Sequence, residues 1–215
     1  GVPISISIGA SAILGCLSLG YPLVVIGQKM VSGVDSFLLI AVPLFILAGN
    51  LMNAGKITEK IFDACKELVG WIPGGLGHAN VVASVIFAGM SGSAVADAGG
   101  LGAIEMEAMT KNGYDEEFSG AVTAASSVIG PIFPPSIPLI IYGSVASVSV
   151  DRLFMGGVMP GLLMGVLLMV LVLWYAIRRK YERHAFCLKN FLKKTFYGIP
   201  AFLTPLIILS GFTLG

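Results

Sequence analysis

Residues 118–146 carry no charged side chain, yet their middle reads Gly130-Pro131-Ile132-Phe133-Pro134-Pro135-Ser136. No continuous helix runs through that run of prolines. Pro131, Pro134 and Pro135 each lack a backbone donor and push the preceding residue out of the helical region, so two half-helices meet at a short extended break. Taken as two helices joined by a surface turn, each half would be too short to cross a bilayer, which takes about 20 apolar residues. Taken as one interrupted crossing, the segment exposes backbone carbonyls near mid-membrane, and such backbone persists only where it lines a cavity or is buried in protein.

The rest of the chain agrees with the bilayer as solvent. Of 215 residues, 56% are hydrophobic and 12% charged, and the mean hydropathy is +0.91, a balance outside the range of soluble domains. The net charge of +1, without a basic stripe interleaved with aromatics, excludes a nucleic-acid surface. Cys16, Cys65 and Cys187 lie far apart with no histidine at ligand spacing, so they predict packing rather than a disulfide framework or a zinc site.

Residues 158–177 are uncharged, reach about 30 Å as a helix, and end in Trp174-Tyr175 before Arg178-Arg179-Lys180, the aromatic belt and basic stop of a cytoplasmic exit. Residues 2–26 and 37–52 are further expected spans, the second containing Pro43, and 196–212 is another, bent by Pro200 and Pro205. The chain opens at Gly1 with no readable secretory signal and stops as an apolar segment finishes, so it is expected to be part of a longer one. Over 57–69, Ile57, Ile61, Phe62, Cys65, Leu68 and Val69 recur at helical spacing opposite Lys56, Glu59, Lys60, Asp63, Lys66 and Glu67. That amphipathic helix is expected to lie on the membrane rather than against a soluble core.

Residues 79–90 and 94–104 are two apolar limbs, each too short to cross, joined by Ser91-Gly92-Ser93. With Glu105, Glu107 and Lys111 returning to water, they predict a re-entrant hairpin; the alternative is one long helix kinked at Gly92. If 178–194 is cytoplasmic and a hairpin makes no net crossing, segments 53–78 and 105–117 share its side, which leaves only Lys29 and Arg152 outside and satisfies the positive-inside rule.

Broken helices at the midplane recur in secondary transporters, with unwound carbonyls coordinating sodium. The hydroxyls of Ser91, Ser93, Thr123, Ser126, Ser127 and Ser136, and the carbonyls around Gly130, offer hard, uncharged oxygen ligands suited to a monovalent cation released every cycle. For any one serine the competing role is close helix packing, as for Gly161-x-x-x-Gly165. Asp97 is the one carboxylate within the predicted limbs and has three readings: cation ligand, proton carrier, or cap of the second limb. Gly89-Met90-Ser91-Gly92 matches the G-x-S-G pattern of rhomboid-type proteases, but His78 shares the first limb at roughly 20 Å from Ser91 and His184 sits in the basic loop, so no general base reaches the serine. There is no G-x-x-x-x-G-K-[ST] loop for ATP.

At these same residues the chain resembles the large membrane subunit of tripartite ATP-independent periplasmic (TRAP) transporters. The resemblance rests on Ala41-Val42-Pro43-Leu44-Phe45-Ile46-Leu47-Ala48-Gly49, Ser91-Gly92-Ser93-Ala94-Val95-Ala96-Asp97, Gly113-Tyr114, Ala121-Val122-Thr123-Ala124-Ala125-Ser126-Ser127, Gly130-Pro131 and Pro134-Pro135-Ser136-Ile137-Pro138. It implies an all-α polytopic protein of the bacterial inner membrane with an elevator mechanism and two inverted repeats, of which this chain resembles the first. In those terms 1–56 are scaffold helices, 57–78 an amphipathic arm, 79–157 a transport domain with hairpin (79–104) and broken helix (118–146), 158–177 a transmembrane helix, 178–195 a basic cytoplasmic loop, and 196–215 a helix entering the second repeat. The resemblance further implies a non-enzymatic importer of an organic acid such as a C4-dicarboxylate or sialic acid, with Na+ as coupling ion and no cofactor. Its implied partners are a small four-helix membrane subunit and a soluble periplasmic binding protein. The expected sodium and substrate residues are Ser91, Gly92, Ser93 and Asp97 at the hairpin, and Thr123, Ser126, Ser127, Gly130, Pro134, Pro135 and Ser136 at the break. The chain departs from the family in length, about half of the large subunit, and in the acidity of Glu105 and Glu107. Two other functions fit the residues: an ion-coupled anion symporter that needs no binding protein, and a non-transporting membrane scaffold.

Overall fold

The computed structural model describes residues 1–35 and 37–181, with the single positions 194, 203, 207 and 210. Among these, every regular element is helical. The chain opens with α1 (Ile4–Ser18), α2 (Val24–Val34) and α3 (Phe37–Ala54), and continues with α4 (Ile57–Val69) and α5 (Gly75–Ser91). Next come α6 (Ala94–Ala96), a π-helical turn (Asp97–Leu101), α7 (Gly102–Lys111), α8 (Glu116–Ser127), α9 (Ile137–Ala146) and α10 (Val150–Arg179).

α5 is the axis of the molecule and packs against α3, α4, α7, α8 and α10. It can be surrounded because it carries no acidic or basic residue other than His78 and is otherwise small or apolar apart from Asn80, which α8 satisfies. Phe87, Met90, Val81 and Ala83 of α5 join Ile61, Phe62 and Cys65 of α4, with Leu101, Met109 and Val172, in one core. The apolar stripe of α4, expected on the membrane, is therefore taken up by α5 of the same chain. A largely apolar neighbouring helix supplies the packing surface.

The expected single span over 2–26 is interrupted: α1 ends at Ser18, Gly20 takes φ 72, and α2 starts at Val24, after Pro22. Neither α1 nor α2 buries a residue, and Ile4, Ile8, Leu14, Val24 and Val31 all face outward. α10 extends the expected 158–177 span at both ends to 30 residues, about 45 Å of helix, and is the one helix among the described residues long and apolar enough to cross a bilayer by itself. Its Gly157, Gly161 and Gly165 are buried. A Cβ at Gly161 would stand 3.0 Å from the Phe133 ring, and one at Gly165 3.1 Å from Val85, so the expected close-packing role of that stripe holds. The basic loop beyond Tyr181 and the expected helix over 196–212 lie outside the described residues, apart from the single positions above.

The chain turns back on itself between α5 and the second limb, and both limbs run longer than 79–90 and 94–104. α5 stops at Gly92, in the left-handed region (φ 58), and Ser93 is extended before α6 begins. The second limb returns beside the first, placing the Asn80 amide 3.8 Å from Met109 Sδ, which excludes one kinked helix. It carries helix on to Lys111 rather than ending at 104. Glu107 is exposed and pairs with Lys111 at 2.5 Å, whereas Glu105, expected to return to water, is 0% exposed with no hydrogen-bond partner among the described residues. The register decides this: Asp97, Leu101, Glu105 and Met109 recur every fourth residue and all face inward.

The three segments that the basic residues assign to one side are tied together. Asp115 binds both Arg179 and the Tyr181 hydroxyl, the latter at 2.7 Å. Lys194 donates to Glu67 at 2.8 Å.

Candidate functional site

The hairpin tip docks on the broken helix. Ile137 N–H donates to the Gly92 carbonyl at 3.3 Å, and a Cβ on Gly92 would stand 2.4 Å from the Pro135 carbonyl oxygen. A Cβ on Gly130 would stand 3.2 Å from the Ser93 carbonyl carbon. Two glycines thus let two non-helical backbones touch, and only a residue free of the left-handed penalty turns the chain at Gly92. The two breaks form one junction.

Most of the predicted residues lie in or beside it. Ser91 is buried at the end of α5. Ser93 caps the second limb, its Oγ accepting from Ala96 N–H at 3.3 Å, so of the three readings of Asp97 the capping role belongs to Ser93 instead. Ser136 caps α9 in the same way, accepting from Leu139 N–H at 3.2 Å while donating to the Pro131 carbonyl at 2.5 Å. That clasp closes the break, with Pro134 and Pro135 buried inside it and their shared peptide bond cis. Ser127 Oγ donates to the Ala124 carbonyl at 3.0 Å, at the end of α8.

Thr123 and Ser126 are not brought to the junction. They join a buried polar ladder between α8 and α5: Asn80 donates to Thr123 Oγ1 at 2.7 Å, Ser126 Oγ donates to Asn80 Oδ1 at 2.8 Å, and Ser84 Oγ donates to Ser126 at 3.1 Å. Asp97 lies beside Ser84, buried to 2% exposure, with neither oxygen in a hydrogen bond of ordinary length to a described residue. Asn80 and Ser84 were missed by the sequence reading. The legible signal was polar residues four apart in an uncharged helix, facing polar residues three apart in another.

Beside the tip, α3 and the second limb enclose an open cleft of about 430 Å³, lined by Phe45, Ile46, Gly49, Asn50, Asn53, Ser91, Ser93, Val95, Ala96, Gly99 and Gly100. The volume falls within the range of about 300–1,000 Å³ usual for small-molecule sites. His78 and Ser91 share one helix, α5, at its opposite ends, so His78 does not reach the G-x-S-G serine.

The hairpin thus folds tip-first onto the broken helix, with an open cleft beside the junction. The chain belongs to the DctM-component family of tripartite ATP-independent periplasmic transporters, which matches it over residues 1–215. It is 48% identical over 191 residues to the sialic acid TRAP transporter large permease protein SiaM of Vibrio cholerae, covering 86% of this chain and 43% of that one. It is 41% identical to the 2,3-diketo-L-gulonate TRAP transporter large permease protein YiaN of Escherichia coli, covering 89% and 45%. With the C4-dicarboxylate TRAP transporter large permease protein DctM of Vibrio cholerae it shares 38%, covering 92% and 42%. The chain thus spans less than half the length of these relatives.

Proposed function

We propose that this chain is the first-repeat half of a TRAP large permease of the bacterial inner membrane, which imports an organic acid together with Na+ by an elevator mechanism. In this reading a small four-helix membrane subunit is its partner and a periplasmic binding protein delivers the acid. The observation that carries the reading is the junction of Gly92 with Pro135 and Ile137. Beside it lie backbone carbonyls and the buried hydroxyls of Ser91 and Ser136, the kind of uncharged oxygen that a weakly held monovalent cation needs. Ser91 also lines the adjacent cleft, so cation and acid would be held by one tip and move with it. The names of the relatives supply the substrate class: sialic acid, diketogulonate and C4-dicarboxylate are all organic acids.

The test is uptake of labelled organic acids into proteoliposomes holding the complete large subunit and its small partner, with and without an inward sodium gradient and binding protein. Uptake that requires both is the expected result. Uptake indifferent to the binding protein would point to a conventional symporter, and no uptake with verified folded protein would leave only a scaffold. Ser91→Ala combined with Ser93→Ala should abolish the sodium dependence of whatever uptake remains.

A further inference from the structure

We infer that the groove between α8 and α10 holds an acyl chain of a phosphatidylethanolamine, whose headgroup sits in the charged pocket at the basic end of α10. The site is separate from the junction and its cleft. The groove has a volume of about 380 Å³ and is walled by Ala121, Val122 and Ala125 of α8 and by Leu168, Leu171 and Tyr175 of α10. Ala121 and Ala125 stand one turn apart, so α8 presents a strip of methyl groups where larger side chains would close the gap. From Leu168 to Arg179, α10 rises about 16 Å, which is about half of a 30 Å hydrocarbon core. The recess is therefore one leaflet deep. Trp174 and Tyr175, beside its mouth, mark the depth at which aromatic rings meet lipid headgroups.

The mouth opens into a wider polar pocket that shares Glu117 and Arg179 with the groove and adds Asp115, Glu116 and Lys180. Arg179 lies 5.7 Å over the rings of both Phe118 and Tyr175, where the two spaces join. Asp115 is taken up by Arg179 and Tyr181. The side chains of Glu116, Glu117 and Lys180 are exposed and make no ion pair or hydrogen bond with a described residue. The helix dipole accounts for an acid in the first turn of α8, but not for Glu117 at the lip of an apolar groove with an unpaired lysine across the pocket. A ligand that fits carries an apolar tail, a cationic donor for the two glutamates and an anion for Lys180. Basic pockets between transmembrane helices commonly hold lipid headgroups, and the two acids select among them. Phosphatidylethanolamine offers a primary ammonium with three N–H donors beside its phosphate. Phosphatidylglycerol has no cation for the glutamates, and the quaternary ammonium of phosphatidylcholine has no N–H to donate.

The test uses the complete large subunit with its small partner, delipidated in detergent and titrated with phosphatidylethanolamine, phosphatidylcholine or phosphatidylglycerol of identical acyl chains, with bound lipid counted by native mass spectrometry. Phosphatidylethanolamine is expected to bind about ten-fold more tightly than either of the others. Glu116→Gln combined with Glu117→Gln should abolish that preference, and so should Lys180→Gln on the opposite side of the pocket. Ala121→Leu, which narrows the groove but leaves the headgroup pocket alone, should reduce retention of phosphatidylethanolamine. An unchanged melting temperature in lipid-free detergent would show that a variant folds; if one headgroup variant melts lower, the other decides. Equal binding of phosphatidylcholine, or tighter binding of phosphatidylglycerol, would overturn the inference. A folded headgroup variant that keeps the parent's preference would overturn it equally, by placing the lipid elsewhere on the complex.

Discussion

Gly92→Ala tests the junction on which the site depends. The added methyl would have to hold the left-handed conformation (φ 58), at a cost of about 1–2 kcal/mol. It would also stand 2.4 Å from the Pro135 carbonyl oxygen and 3.1 Å from Ile137 N. Both are backbone atoms, so relief requires separating the tip from the break, with overpacking of about 1–3 kcal/mol. Separation lengthens the Ile137 N–H bond to the Gly92 carbonyl, already 3.3 Å, and its loss adds about 1 kcal/mol. The total is about 3–6 kcal/mol. In the complete large subunit with its small partner, this should appear as a fall in melting temperature of several degrees, at about 1 °C per kcal/mol for a chain about twice this length. Gly156→Ala is the control: a Cβ there meets nothing within 4 Å and removes a glycine from a helix, so it should be neutral or stabilising by up to about 1 kcal/mol. If Gly92→Ala melts within a degree of Gly156→Ala, the tip does not bear on the break as described.

Three further outcomes are expected. Asn80→Ala leaves Thr123 and Ser126 without their buried amide partner and should destabilise by about 2–4 kcal/mol, with a double-mutant cycle against Ser126→Ala showing clear coupling in thermal melts. Glu105→Gln removes a wholly buried carboxylate that no described group hydrogen-bonds, so the variant should melt no lower than the parent at pH 8, and a marked loss of stability would reveal a partner for that charge. The Asp115 carboxyl is held below its usual range, chiefly by the hydrogen bond from Tyr181, with Arg179 adding to it. A depressed native value means that its tie to α10 is fully present above the unfolded value near pH 4 and is lost as the pH falls through the lowered native one. Hydrogen exchange at 112–117 should report that loss in acid, and Asp115→Asn should remove its pH dependence.

Helix identity and the two breaks could be read from the sequence because they follow from local chemistry. Prolines cannot continue a helix, the Ser91-Gly92-Ser93 tip interrupts an apolar run, and the stripe of Ile57, Ile61, Phe62 and Cys65 has helical period whatever covers it. The destination of each side chain was not local. α4 was assigned to the membrane because its sequence shows a stripe but not its neighbour, and α5, short and largely apolar, gave no sign of how many helices it would meet. Glu105 was placed in water because the limb was ended just before the charged run Glu105, Glu107 and Lys111; only the continued helix, with Asp97, Leu101 and Met109 in register, carries it inside. Thr123 and Ser126 have the same chemistry as Ser127 and Ser136, and nothing in their residue types separates the pair bonded to Asn80 from those near the junction.

By itself the sequence determined a membrane-dwelling helical chain with two interruptions, since charge content, apolar length and proline geometry act residue by residue. The tertiary structure alone decided that the interruptions meet, that Ser93 rather than Asp97 caps the second limb, and that an amide-lined cleft opens beside them. Those facts depend on distances between segments far apart in the chain, which no local preference encodes.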